Sequence, residues 1–262
     1  MQFTVFNVGH GFCATLIADN GNLIMFDCGH SADPLFQPSI YLFSQGYRTV
    51  HRLFITNYDQ DHISDIETIW RYFSVPILHR NESISATDLR QLKEESGPIT
   101  SQMESLIARI THTFTGGPPA IPPPLPRIAW DCFHVNYPRL TDTNNLSLVT
   151  VLQCGNTTFL IPGDIEEAGW WHLVQNPAFL AYLPGIDVFI ASHHGRENGF
   201  YAPLFDDLGC RPSCFVFSDS AIRHSTQEMT QAYAQRAGGV PFRGQTRYVL
   251  STRNDGSLTW TL

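Results

Sequence analysis

Three short apolar runs in this chain each stop at a cluster of side chains able to ligate metals or carry protons, and few folds accommodate that pattern. Leu53-Phe54-Ile55-Thr56 leads into Asn57-Tyr58-Asp59-Gln60-Asp61-His62. Phe159-Leu160-Ile161 leads into Pro162-Gly163-Asp164, and residues 188–191 lead into Ser192-His193-His194-Gly195. After the first cluster, Ile63, Ile66, Ile69, Trp70 and Phe73 recur at helical spacing. A helix containing Glu166, Glu167 and Trp170 is expected after the second. Chemistry placed between a strand end and a helix start is where open α/β structures gather it, because backbone donors and side chains converge there.

The rest of the chain supplies the frame. Residues 3–8, 13–18 and 23–27 are strand-like, and Asp19-Asn20-Gly21-Asn22 forms a hairpin turn between the last two. A helix is expected near residues 39–44. Residues 86–114 predict two helices, broken at Gly97-Pro98 because proline lacks a helical donor and clashes with the preceding turn. Residues 116–126 read as a stiff polyproline connector, either a spacer or a segment for a protein partner's aromatic groove. Strand texture returns at 146–153, 157–161 and 215–217. Residues 248–251 and 258–262 flank Asn254-Asp255-Gly256 and read as a hairpin. Two strand-rich halves with outer helices predict a four-layer α/β/β/α sandwich. The 262 residues form one domain on this reading, with a helical and Pro-rich insert at about 86–127.

Composition excludes several classes. Apolar residues make up 43% and charged residues 15%, enough for a sizeable core. No apolar run approaches the roughly 20 residues of a bilayer span, so no membrane partner is expected. A net charge of −8 argues against coating nucleic acid by bulk electrostatics, though a nucleic-acid end could still enter a cleft. The N-terminus moves straight into a strand pattern without a secretory signal. Cys13, Cys154 and Cys214 sit in apolar, strand-like segments, and Cys210 and Cys214 are too far apart for a zinc CxxC pair. A reducing cytoplasm without disulfides is the expected setting. Of 16 basic residues, Lys93 alone is a lysine.

Asp59, Asp61 and His62 put three potential ligands within four residues, and Asp164 and the His193-His194 pair follow at later strand ends. Carboxylates and imidazoles are the donors of catalytic rather than structural metal sites. Each residue has an ordinary alternative: Asp59, Asp61 and Asp164 as turn formers or helix caps, the histidines as hydrogen-bonded core residues. The combination at three strand ends favours a metal site.

Nearly the whole chain resembles the metallo-β-lactamase fold, most closely the soluble hydrolase domain of the ComEC competence proteins. Phe6-Asn7-Val8-Gly9-His10-Gly11 and Ile24-Met25-Phe26-Asp27-Cys28-Gly29 are similar to that family's opening strands and structural aspartate. Residues 56–62 resemble its HxDxDH motif, with Asn57 at the first histidine. Asn144-Asn145-Leu146-Ser147-Leu148-Val149, residues 159–164 and residues 192–195 match further signatures in order, and His224 stands at a late histidine. The resemblance implies two metal positions. One would use Asn57, Asp59, an asparagine of the Asn144-Asn145 pair, taken as Asn144, and a bridging Asp164; the other would use Asp61, His62, His193 or His194, and the same Asp164. The first is all oxygen and favours manganese or magnesium; the second keeps imidazole nitrogen and suits manganese or zinc. One firmly held ion and one weak ion are therefore expected. Asp27 would orient the ligand loop. His224, with Arg196 or Arg223, would bind a substrate phosphate.

The function implied is a metal-dependent hydrolase that activates water, most simply a phosphodiesterase or nuclease acting on a nucleic-acid end or a cyclic nucleotide. Asp164, Asp61 and His224 are its expected catalytic residues. The alternatives are a lactone, thioester or lactam hydrolase of the same fold, or a noncatalytic binding module left by a degenerate site.

Overall fold

The computed structural model describes residues 1–33, 35–115, 123–222 and 225–262. Strands β1 (Gln2–Val5), β2 (Ala14–Ile17) and β3 (Leu23–Phe26) form an antiparallel meander. Strands β4 (Arg52–Phe54) and β5 (Leu78–His79) extend it in parallel. The second half repeats the plan. Strands β6 (Ile128–Phe133), β7 (Val149–Cys154) and β8 (Thr157–Ile161) are antiparallel. Strands β9 (Val188–Ile190), β10 (Cys214–Phe217) and β11 (Val249–Ser251) follow in parallel. The last strand, β12 (Leu258–Thr261), crosses over to pair antiparallel with β1. The sheet orders are β12-β1-β2-β3-β4-β5 and β11-β10-β9-β8-β7-β6.

Alternation along the strands divides the apolar residues among three cores, and three cores require four layers. Ile24 and Phe26 face the opposite sheet, meeting Phe159, Ile161, Ile190 and Val216. Their neighbours Leu23 and Met25 face helices α1 (Pro38–Ser44), α2 (Gln60–Ile63), α3 (Ile66–Tyr72), α4 (Ala86–Ser96) and α5 (Ser101–His112). On the other sheet Phe189 and Phe215 turn outward onto Trp170 and Phe179 from the helices after β8. The architecture is thus the expected α/β/β/α sandwich. Gly97 ends α4 (Ala86–Ser96), and Thr100 caps α5 through its hydroxyl, giving the two helices expected there. Most of the polyproline stretch, residues 116–122, lies outside the described residues. Its end is tied down, since the Pro124 carbonyl accepts from the Asn20 and Asn22 side chains at 2.9 and 2.8 Å.

One expectation is overturned. Residues 248–262 are not a hairpin, because β11 belongs to one sheet and β12 to the other. A helical turn, Thr252–Asp255, carries the chain between them. The Asp255 carboxylate accepts from the Ser251 N–H and the Arg247 guanidinium, and this buried use of the side chain replaces the tight two-strand turn. Strand β6 carried no recognised signal; only Phe133 of its residues is buried, as befits an edge strand. The six cysteines are free thiols. Among the described residues no helix is long and apolar enough to cross a membrane.

Candidate metal centre

The loop after β4 is held by a buried carboxylate. Asp27, directly after β3, is fully buried and has a left-handed backbone (φ 53°). Its Oδ1 accepts the Thr56 N–H at 2.7 Å, and its Oδ2 accepts the Thr56 hydroxyl. The same Oδ2 receives the His62 Nδ1–H at 2.7 Å. Fixing the proton on Nδ1 makes Nε2, aimed away from Asp27, the nitrogen of His62 that could serve a metal. Two glycines bring the loop close. A Cβ on Gly29 would lie 2.2 Å from the Asp61 carbonyl oxygen, and one on Gly11 2.5 Å from it. The Cys28 N–H donates to the His62 carbonyl at 2.8 Å, completing the buttress.

The opposite sheet supplies the remaining donors. After β9 the backbone enters the left-handed region at His193 (φ 47°), His194 (φ 57°) and Gly195 (φ 80°). Two consecutive non-glycine residues there store strain of the kind found at functional sites. The turn directs His194 inward, and its Nδ1–H donates to the Ser218 carbonyl at 2.8 Å. A carbonyl only accepts, so Nδ1 of His194 keeps its proton and Nε2 is the nitrogen left to face a ligand. Asp164, after β8, is anchored by its N–H donating to the Ser147 hydroxyl at 3.1 Å.

These loops meet. Ligand atoms of Asp61, His62, Asp164 and His194 all lie within 4.8 Å of one another. His62 Nε2 is 3.1 Å from Asp164 Oδ1, and His194 Nε2 is 3.1 Å from Asp61 Oδ2 and 3.4 Å from Asp164 Oδ2. Burial alone would lower His194, but the Asp164 and Asp61 carboxylates carry it up to about 10. His62 is likewise raised by Asp164 and Asp27 against its burial. Burial would raise Asp61 and Asp164, yet the two imidazoles hold both well below the carboxylate range. Each buried Nε2 lacks a well-formed hydrogen bond. Two imidazole Nε2 atoms and two carboxylates, so enclosed, fit a divalent cation, whose binding would displace the Nε2 protons that the carboxylates otherwise hold.

The other expected ligands are placed elsewhere. Asn57 is fully buried, and its Nδ2 donates to Asn144 Oδ1 at 3.0 Å. Asn144 Nδ2 donates to Glu166 Oε1 at 2.9 Å. Asp59 stands at the N-cap of α2 without making a cap bond; its Oδ1 instead meets Lys93 Nζ at 2.5 Å and the Thr143 hydroxyl at 2.9 Å. Of the tandem histidines, His193 stays outside the four. Its Nδ1 lies 3.2 Å from Glu166 Oε1 and its Nε2 3.4 Å from Arg196 Nη1. His224 and Arg223 lie outside the described residues. Glu166, Asp219 and Ser218 carried no chemical signal in the sequence beyond their positions after strands.

A cleft of about 630 Å³ opens over the cluster, lined by His10, His30, Asp61, Asp164, His193 and Arg196 among others. His10 spans it: Nδ1 is 2.9 Å from Asp219 Oδ1, and Nε2 is 3.4 Å from Asp61 Oδ2 and 3.2 Å from Arg196 Nη2. Among the described residues no carboxylate pairs with Arg196.

Residues 14–184 match the family model of the metallo-beta-lactamase superfamily, a span that includes Asp61, His62 and Asp164 and stops before His194. No curated protein matches the sequence. Among solved structures, zinc-bound PqqB from Methylobacterium extorquens is 14% identical, with 100% of each chain covered and a TM-score of 0.53. A diphosphatase of the PhnP family is 11% identical over 100% of this chain and 97% of that one, with a TM-score of 0.50. A variant of the β-hydroxylase CmlA is 12% identical over 99% of this chain and 54% of that one, with a TM-score of 0.52. At these identities the likeness is one of fold.

Proposed function

Because the chain belongs to the metallo-beta-lactamase superfamily, we propose that it is a metal-dependent phosphodiesterase acting on a small phosphodiester or a nucleic-acid end. The observation that carries the reading is Arg196. A half-buried guanidinium stands beside the carboxylate–imidazole cluster, and the neighbours it meets are the imidazoles of His10 and His193. Guanidinium is suited to phosphate because its fork of donors matches the anion's oxygens. The resemblance of the motif set to ComEC hydrolase domains points the same way, and the net charge of −8 favours a compact substrate over a polymer track.

Asp61, His62, Asp164 and His194 would hold one zinc or manganese ion. When bound, such an ion polarises a phosphoryl oxygen and lowers the pKa of water. Arg196 binds the nonbridging oxygens and stabilises the charge that grows on them. His10 Nε2, with the ring fixed by Asp219 at Nδ1, is the atom positioned to pass a proton to the leaving oxygen. Asp27 orients His62 and touches no substrate. His224 remains a proposed phosphate contact.

Purified protein supplied with manganese or zinc is expected to hydrolyse bis-p-nitrophenyl phosphate or a cyclic nucleotide. Asp164→Ala should abolish turnover, and Arg196→Ala should lower kcat/KM by about 10²-fold or more. Hydrolysis of a lactone or thioester with no phosphodiester turnover would overturn the proposal.

A further inference from the structure

The helical insert reaches the site through the chain's sole lysine. Lys93, on α4, is mostly buried (15% exposed side chain) and sits 2.5 Å from Asp59 Oδ1, the oxygen that also accepts the Thr143 hydroxyl at 2.9 Å. Next to this pair Asn57 Oδ1 accepts the Asp59 N–H at 3.2 Å, and Asn57 Nδ2 donates to Asn144 Oδ1. Asn144 in turn donates to Glu166, whose Oε1 also accepts from Asn198 at 2.6 Å. Of the all-oxygen position that the family resemblance implies, Asn57 Oδ1, Asp59 Oδ1 and Asn144 Oδ1 are therefore each engaged by a protein partner, and a fixed positive charge already stands on Asp59. The residues there do not fit a second ion.

We propose that Lys93 is a positioning residue that limits this chain to one ion: its ammonium holds Asp59, and together with the Asn57–Asn144 amide pair it fills the place a second cation would need. A divalent ion there would have to displace an ammonium from its carboxylate and break a partly buried amide pair, both of which oppose binding. The inference rests on reading Asp61, His62, Asp164 and His194 as the metal centre.

The test is metal stoichiometry after equilibrium dialysis against excess manganese, read by elemental mass spectrometry, with electron paramagnetic resonance to detect coupled manganese pairs. Wild-type protein is expected to bind one ion per chain with an uncoupled signal. Lys93→Met should admit a second, weaker ion and a coupled signal, while Lys93→Arg should restore a single ion. Adding Asp59→Asn to Lys93→Met should return the count to one. Two ions in the wild type, or one ion in a folded Lys93→Met protein, overturns the role of Lys93. No ion in the wild type, or an undiminished count in Asp164→Ala, would instead overturn the metal-centre reading beneath it.

Discussion

His62 depends on a residue that would never touch the ion. Asp27 takes the Nδ1 proton at 2.7 Å and is itself fixed by two donations from Thr56, so ring orientation and tautomer are set together. Orienting partners of this kind typically contribute 10–100-fold to metal affinity. Asp27→Ala should therefore weaken binding by about that factor, as measured by competition with a chromophoric chelator, while leaving Asp61, Asp164 and His194 in place. A steric argument applies one step further out. Gly29 packs where a methyl group would meet the Asp61 carbonyl oxygen at 2.2 Å, and backbone cannot yield as a flexible side chain can. Gly29→Ala should lower stability by about 2–3 kcal/mol and shift the ligand loop, so the melting temperature and metal affinity should fall together. An unchanged melting temperature would show that the loop is softer than this contact implies.

At the scale of elements, β5 shows how packing changes a titration. His79 stacks on Phe54 with ring centroids 4.3 Å apart and lies beside Trp130 and Arg52. Burial, reinforced by the Arg52 charge, pulls its imidazole down to about 4. The unfolded chain takes up this proton near pH 6.5, before the folded one does, so the contribution to stability is complete above 6.5 and is lost as pH falls toward 4. His79→Phe keeps the stack and removes the proton; thermal melts between pH 7 and 5 should then lose up to about 2 kcal/mol of acid sensitivity. The elements also show what the sequence made legible. Strands ending in polar clusters announced β4, β8 and β9 and the loops after them, because alternation and chemistry coincide there. The exposed edge strand β6 has little alternating burial to read, and the Asn-Asp-Gly signal at 254–256 is local, whereas the sheet each flanking strand joins is decided by tertiary packing. Asn57, Asn144 and Lys93 were individually visible, but the Asn57–Asn144 bond joins residues 87 apart in the chain, and the Lys93–Asp59 pair depends on α4 folding back onto the site.

The whole molecule joins two similar halves, and the metal centre draws equally on both. Asp61 and His62 come from α2, which follows the β4 loop of one sheet, and Asp164 and His194 from the turns after β8 and β9 of the other. The inter-sheet core of Phe3, Phe26, Phe159 and Ile190 sets the separation, and a bound ion would tie the loops across the sheets' common rim. Such an ion binds the folded chain alone, so free metal at about 100 times its dissociation constant should add about 2.7 kcal/mol. For a chain of this size that corresponds to roughly 5–10 °C in melting temperature, reversed by a chelator. Core and centre should act independently. Phe159→Ala removes a fully buried ring packed 4.3 Å from that of Phe3 and should cost about 3–5 kcal/mol, yet it should retain the metal-induced shift. Asp164→Ala should do the reverse, losing the shift whatever its baseline stability. If the shift persists in Asp164→Ala, the ion binds elsewhere, and the convergence of the two halves on Asp61, His62, Asp164 and His194 serves packing rather than metal.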